Sequence, residues 1–252
     1  MCRSVLFAAT CTFLLAWLPA SALAVSSSDF EKGSGSSTQP QPPVYYINDD
    51  GSVVLQLCYN WACATRKTVC FTAREMATVK DQMAICAGGS LHEQLQRIRI
   101  GIWQMETLAE KHLPMLANDE GENEKDRDLV GRTDCVDNST NTRTYLHVLM
   151  ELGEITGWSI ESPEIRNPFD FNTVHWTAVL RNGADGKPWS IDSWYRPNGH
   201  LPFVMPLSEW KREQLGWQSP VDRYNPYPQY THDLCSTSAQ GAADESNPRS
   251  QN

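Results

Sequence analysis

The stretch HWTAVLRNGADGKPWSID, residues 175–192, decides the fold class. Two runs rich in β-branched and aromatic residues, His175–Leu180 and Trp189–Asp192, flank Asn182-Gly183-Ala184-Asp185-Gly186-Lys187, a strong turn signal. The pattern predicts an antiparallel hairpin. A turn centred near Ala184 and Asp185 pairs positions whose numbers sum to about 369, so His175 falls opposite about residue 194. Asp192 is then a same-face diagonal neighbour of that partner, at the ~7–8 Å that long side chains bridge. A slip of one residue would put the imidazole and the carboxylate on opposite faces. In register, the carboxylate fixes the tautomer of the ring and stabilises its protonated form.

Upstream of the hairpin, the spacing predicts a helix from about Cys135 to Leu152, with Tyr145, Leu149 and Leu152 facing inward and Gly153 near its end. Asp134 is the expected N-cap, which puts Cys135 in the first turn. The partial positive charge of a helix start favours a thiolate there, the nucleophilic form of cysteine. The competing role for Cys135 is half of a disulfide. Further upstream, Val53–Asn60 and Thr68–Thr72 read as a hairpin. Met76, Val79, Met83 and Cys86 mark a helix from Ala73 that ends at Gly88-Gly89. Ser90-x-x-Glu93 opens a second helix, with Leu95, Ile98, Ile102, Met105 and Ala109 on one face and Pro114 as its stop. Beyond Val174 the pattern is strand and turn.

The ends of the 252-residue chain differ in composition from its middle. Residues 1–24 carry Arg3 as their single charge, an apolar run from Val5 to Leu18 and the small-residue site Ala22-Leu23-Ala24. This is the pattern of a secretory signal, and the run is short of the ~20 apolar residues of a membrane span. Export, to a periplasm or outside the cell, is the expectation. Residues 25–43 are rich in Ser, Gly, Pro and Gln and read as a flexible leader. Residues 236–252 read as a disordered tail, which leaves one domain over 44–235. The formal net charge of −9 argues against nucleic acid and against an anionic membrane as partners.

Six cysteines remain beyond the signal: Cys58, Cys63, Cys70, Cys86, Cys135 and Cys235. In an oxidising compartment they are expected to pair, although Cys58 and Cys63, with only four residues between them, would not be an easy couple within one strand. If Cys135 is free, five others remain, so one further thiol is expected to stay unpaired within the chain. A zinc reading of Cys58-x4-Cys63 lacks a second close pair and a nearby His. The acidic run Asp119–Asp128 lacks the spacing of a calcium loop and reads as a solvated segment. Asn138-Ser139-Thr140 matches a glycosylation triplet but lies inside the expected third helix. No metal or cofactor is expected. His92, His112, His147, His200 and His232 have no acid at hairpin distance and read as structural. Trp176, Trp189 and Trp194 are expected to pack the sheet, or in part to line a groove.

A Cys at a helix start, a His about 40 residues on at the head of a strand and an Asp about 17 later in the next strand resemble the core of the transglutaminase-like superfamily, which shares the papain-like order Cys–His–Asp/Asn. Asp134-Cys135-Val136-Asp137, His175-Trp176-Thr177-Ala178-Val179 and Trp189-Ser190-Ile191-Asp192 carry the likeness. Cys58-Tyr59-Asn60-Trp61-Ala62-Cys63, Asp137-Asn138-Ser139-Thr140-Asn141-Thr142 and Asp192-Ser193-Trp194 look more narrowly like a group of exported bacterial proteins with no assigned activity. The resemblance implies an α+β fold of papain-like architecture, a helical lobe packed on an antiparallel sheet. It implies Cys135 as nucleophile, His175 as general base and acid, and Asp192 as orienting carboxylate. The superfamily also uses an upstream Trp or Gln as an oxyanion donor. Trp103 and Gln104 lie in that region but are explained as helix positions, and the Cys135 backbone N–H is the one donor expected.

The expected activity is thiol-dependent acyl transfer from a protein or peptide amide, by a cysteine peptidase or amidase working through a thioester. Two alternatives are transfer of the acyl group to an amine, as in a transglutaminase, and a disulfide-stabilised binding protein that uses the Trp-rich sheet as its contact surface.

Overall fold

The computed structural model describes residues 38–118, 127–166, 174–195, 197–212 and 235. The expected signal (1–24), the tail (236–252) and most of the acidic run after Asn118 lie outside them. The chain is α+β, with two antiparallel sheets and a small set of helices. Strands β1 (Tyr45–Ile47), β2 (Val53–Tyr59) and β3 (Thr65–Phe71) form a three-stranded sheet in that order. Strands β4 (Trp158–Ile160), β5 (Glu164–Arg166), β6 (His175–Asn182), β7 (Pro188–Asp192) and β8 (Phe203–Pro206) form the second sheet. Its order is β4-β6-β7-β8, and β5 also pairs with β6. The β6–β7 hairpin has the expected register: Ala178 faces Ile191 and Leu180 faces Trp189. Gly186, at φ +70°, takes the left-handed turn position that the Asp-Gly pair signals.

Helix α1 (Ala73–Met83) is capped by a reciprocal Thr72–Glu75 box and turns its expected face, Met76, Val79 and Met83, inward. Helix α2 (Leu91–His112) starts at the expected Ser90–Glu93 box and buries Leu95, Ile98, Ile102, Met105 and Ala109. Gly101 sits where α2 meets its neighbours. A Cβ there would lie 2.8 Å from the end of the Leu149 side chain and 3.0 Å from that of Met83, so a larger residue would have to push these side chains aside.

Helix α3 (Cys135–Glu151) lies between the two sheets, which explains its weak amphipathic pattern: Ser139, Thr140, Asn141, Thr142 and Thr144 are buried along with Tyr145, Leu146, Val148 and Leu149. Burial of that many polar groups is tolerated because each is bonded. The Asn141 side chain acts as a strand edge for β2: its Oδ1 accepts from the Cys58 N–H and its Nδ2 donates to the Cys58 carbonyl, both at 2.8 Å. On the other side, the Ser193 hydroxyl bonds Asn138 at 2.7 Å and Thr142 at 3.2 Å. The glycosylation triplet is thus part of the packed helix. Gly153, at φ +77°, ends α3, and the Glu154 N–H reaches back to the Leu149 carbonyl. Helix α4 (Leu207–Trp210) is a single turn whose Trp210 is fully buried.

Two expectations need correction. Residues 38–43 are not a free leader. The Gln41 N–H donates to Thr140 Oγ1 of α3 at 2.9 Å and its side-chain oxygen accepts from Arg66 at 2.9 Å, so this Pro-rich strap is fastened to the domain. Cys58 and Cys63 do form a disulfide, with Cα atoms 4.7 Å apart. They are not in one extended strand: Asn60, Trp61, Ala62 and Cys63 all have left-handed φ angles, between 53° and 65°, and this turn folds the chain back. Cys86 pairs with Cys235, which with Cys58–Cys63 makes two bridges among the six cysteines beyond the signal; Cys70 is disulfide-bonded as well, and Cys135 is free. No helix among the described residues is long and apolar enough to cross a membrane.

Candidate functional site

Among the described cysteines only Cys135 carries a free thiol. Its position is fixed by the start of α3. The Asp134 side chain caps the helix, accepting from the Val136 N–H at 3.0 Å and the Asp137 N–H at 2.9 Å, while Asp137 returns a bond to the Asp134 N–H at 3.1 Å. With the second and third amides taken, the Cys135 N–H is left as the open donor of the first turn. The left-handed 60–63 turn braces this cap from outside. The Ala62 N–H donates to Asp134 at 2.9 Å and the Cys63 N–H to Asp137 at 2.7 Å. Asn60 Oδ1 accepts from the Gly131 N–H at 2.8 Å. A left-handed residue with a side chain costs about 1–2 kcal/mol. The turn therefore persists because the disulfide and these bonds to α3 hold it.

Across from α3, β6 begins at His175 and β7 ends at Asp192. His175 Nε2 lies 2.7 Å from Asp192 Oδ2, the pairing that the hairpin register predicts. The carboxylate is fully engaged: Oδ2 also accepts from Trp210 Nε1 at 2.9 Å, and Oδ1 accepts from the Trp194 N–H at 3.3 Å. A carboxylate can only accept, so whenever the ring is neutral its hydrogen sits on Nε2 and its lone pair on Nδ1. Nδ1 is buried and has no hydrogen-bond partner. The ring is enclosed by aromatic faces, stacked on Trp194 at 4.8 Å and flanked by Tyr195 at 4.7 Å and Trp210 at 5.8 Å between centroids. Arg166 backs this cage. Its guanidinium lies 4.7 Å from the Trp210 ring, donates to the Trp210 carbonyl and touches the Tyr195 hydroxyl.

The sulfur and the imidazole are not hydrogen-bonded to one another, since Nδ1 has no partner; what links them is the backbone that follows His175. The Trp176 N–H, next in the chain to His175, hydrogen-bonds the Cys135 thiol. The expected thiolate is not the resting form, however. Burial pushes the thiol up to about 12, with the Asp134 charge adding to the shift and those of Asp192 and Asp137 contributing less; the Trp176 bond offsets only part of it. Three nearby carboxylates and a desolvated site outweigh the partial charge of one helix end. Burial also raises Asp192, but the charge and hydrogen bond of His175, with Arg166 and Trp210, hold it below the usual carboxylate range. Asp137 goes the other way: burial and the Asp134 charge hold it well above that range.

Other expected and unexpected groups fall into place around this centre. Trp103 packs against the core, as a helix position should. His112 bonds Glu75 at 3.0 Å, a contact between the end of α2 and the first turn of α1 and not one at hairpin distance. Trp210, which bonds Asp192, and Arg166, which backs the aromatic cage, carry no local sequence signal, because tertiary packing alone brings them to the couple. Ligand atoms of Cys58, Cys63 and Asp137 lie within 4.8 Å of one another. With the sulfurs joined neither is a thiolate, and Asp137 is spent on two N–H groups, so the oxidised turn does not fit a metal. A cleft of about 330 Å³ opens beside Trp176, between β6 and the 38–43 strap. Compared with family models, with curated proteins and with solved structures, the chain matches none.

Proposed function

We propose that this chain is an exported thiol-dependent acyl-transfer enzyme, a cysteine peptidase or amidase, built on a transglutaminase-like, papain-like core. One observation carries the reading: Cys135, a free thiol, lies at the Trp176 N–H, and the residue before Trp176 is a histidine whose Nε2 is held by Asp192 while its buried Nδ1 is left unpartnered.

Because the thiol rests protonated, the proton must leave as the carbon–sulfur bond forms. His175 Nδ1 takes it while Sγ attacks the amide carbonyl, and the carbonyl π pair moves onto oxygen. The Cys135 N–H faces that developing charge. Asp192 stabilises the imidazolium without accepting its proton. When the tetrahedral intermediate collapses, the carbon–nitrogen bond breaks and the leaving nitrogen takes the Nδ1 proton, giving an amine and a thioester. Water, deprotonated by the same Nδ1, then adds to the thioester; the carbon–sulfur bond breaks and the thiol regains its proton. Export is supported by the disulfides, which persist in oxidising compartments. A screen of peptide amides with the native protein and Cys135→Ala tests the reading. Amine or ammonia release that disappears in the variant supports it; release by neither protein overturns it.

A further inference from the structure

The cleft beside Trp176 has a chemical character of its own. Pro40 and Pro42 of the strap border it on one side and Ser162, Pro163 and Trp176 on the other, with Arg143 of α3 the one charged group among its lining residues. Arg143 is half-buried, and no carboxylate among the described residues lies within ion-pair distance of it. Its Nε is buried and has no hydrogen-bond partner. His147, one turn further along α3, is held below its ordinary value by burial and by the Arg143 charge, so it adds no second positive charge beside Arg143. A half-buried guanidinium without a carboxylate partner is a poor structural element but a good partner for a carboxylate that enters the cleft.

Trp176 relates the cleft to the thiol: the residue lines the cleft, and its N–H acts on the Cys135 sulfur. Arg143 lies eight residues beyond Cys135 on the same helix, about 12 Å along the axis at the rise of an α-helix. An extended peptide covers that span in three to four residues. We infer that this cleft is a substrate subsite in which Arg143 receives a carboxylate of the acyl-donor peptide, about three residues from the amide held at Cys135. The carboxylate belongs either to an Asp or Glu side chain or to the peptide C-terminus. The net charge of −9 opposes an anion at long range, but physiological salt screens that beyond about 8 Å, which leaves the contact to decide.

The inference rests on the proposed enzyme for the position of the amide, and its test reads binding, which needs no turnover. The probes are N-acetylated hexapeptides with one Asp placed at each position of a neutral Ala/Ser background: the same peptides with Asn, and a neutral peptide with a free or an amidated C-terminus. Affinities are measured by calorimetry on full-length Cys135→Ala, alone and combined with Arg143→Gln or Arg143→Lys, with thermal melting as the check on folding. The expected result is that Asp at one or two adjacent positions, or the free C-terminus, tightens binding about tenfold over its neutral counterpart. The preference falls to within about twofold in Arg143→Gln and is partly kept in Arg143→Lys. Equal affinity for Asp and Asn peptides, no binding of any peptide, or a preference that survives Arg143→Gln overturns the inference. Should the preference appear as expected while the native protein releases no amine, the subsite stands and the enzymatic reading fails.

Discussion

His175 Nε2 and Asp192 Oδ2 lie 2.7 Å apart, and each side chain is only 2 % exposed. A buried carboxylate in that position is costly unless it is paired and bonded, and here three donors satisfy it. The arrangement orders the imidazole and leaves Nδ1 as its one atom free to move a proton.

Asp192→Asn removes the charge while keeping the volume. An amide has no fixed preference for the Nε2 hydrogen and cannot stabilise an imidazolium. Amide turnover should fall by about a hundredfold or more. Steady-state kinetics of the variant against the native protein check this, with thermal melting to separate misfolding from lost chemistry.

The pH dependence of stability should carry the signature of Cys135. Its thiol titrates higher folded, at about 12, than unfolded, near the ordinary 9. A group raised in this way contributes stability below its unfolded value and loses it as pH rises through the folded one. The native protein should therefore lose stability between about pH 9 and 12 faster than Cys135→Ala, in denaturant titrations at stepped pH. Parallel curves would mean that the sulfur is not buried among carboxylates.

Trp210→Phe keeps the ring against His175 but deletes the N–H that bonds Asp192. A lost hydrogen bond to a charged, buried acceptor costs about 1–3 kcal/mol. The melting temperature should drop accordingly, and the acid limb of the stability curve should move up in pH. The sign follows from Asp192: a carboxylate lowered in the folded state gives stability that is present above its unfolded value and lost as pH falls through the folded one, and the variant removes part of that lowering.

Reducing Cys58–Cys63, or replacing both by Ser, frees a turn of four left-handed residues that braces the cap of α3. Chain-entropy estimates give about 2 kcal/mol for so short a loop. The expected outcome is a loss of that order in chemical denaturation, together with faster hydrogen exchange at the Val136 and Asp137 amides, the first bonds of α3.

How far these features were legible follows from their range. The β6–β7 register was readable because a local turn sets it, and Asp134 as N-cap because capping involves residues two and three along the chain. The Cys58–Cys63 bond was not. It needs a left-handed turn without glycine, which only contacts to Asp134 and Asp137, more than 70 residues away, sustain. The protonated state of Cys135 was missed for the same reason, since helix position is local but the burial and the Asp192 charge come from tertiary packing. Composition also misjudged the strap: two hydrogen bonds from Gln41 hold a segment whose residues bury little themselves.

The central claim is that His175 activates the Cys135 thiol, and the most direct measurement is the rate of iodoacetamide labelling of the folded, unreduced protein at neutral pH, followed by intact mass and mapped by peptide. One adduct at Cys135, formed at least about tenfold more slowly in a folded His175→Ala variant, is the predicted result. An adduct that forms only after reduction, or at the same rate in both proteins, would contradict it.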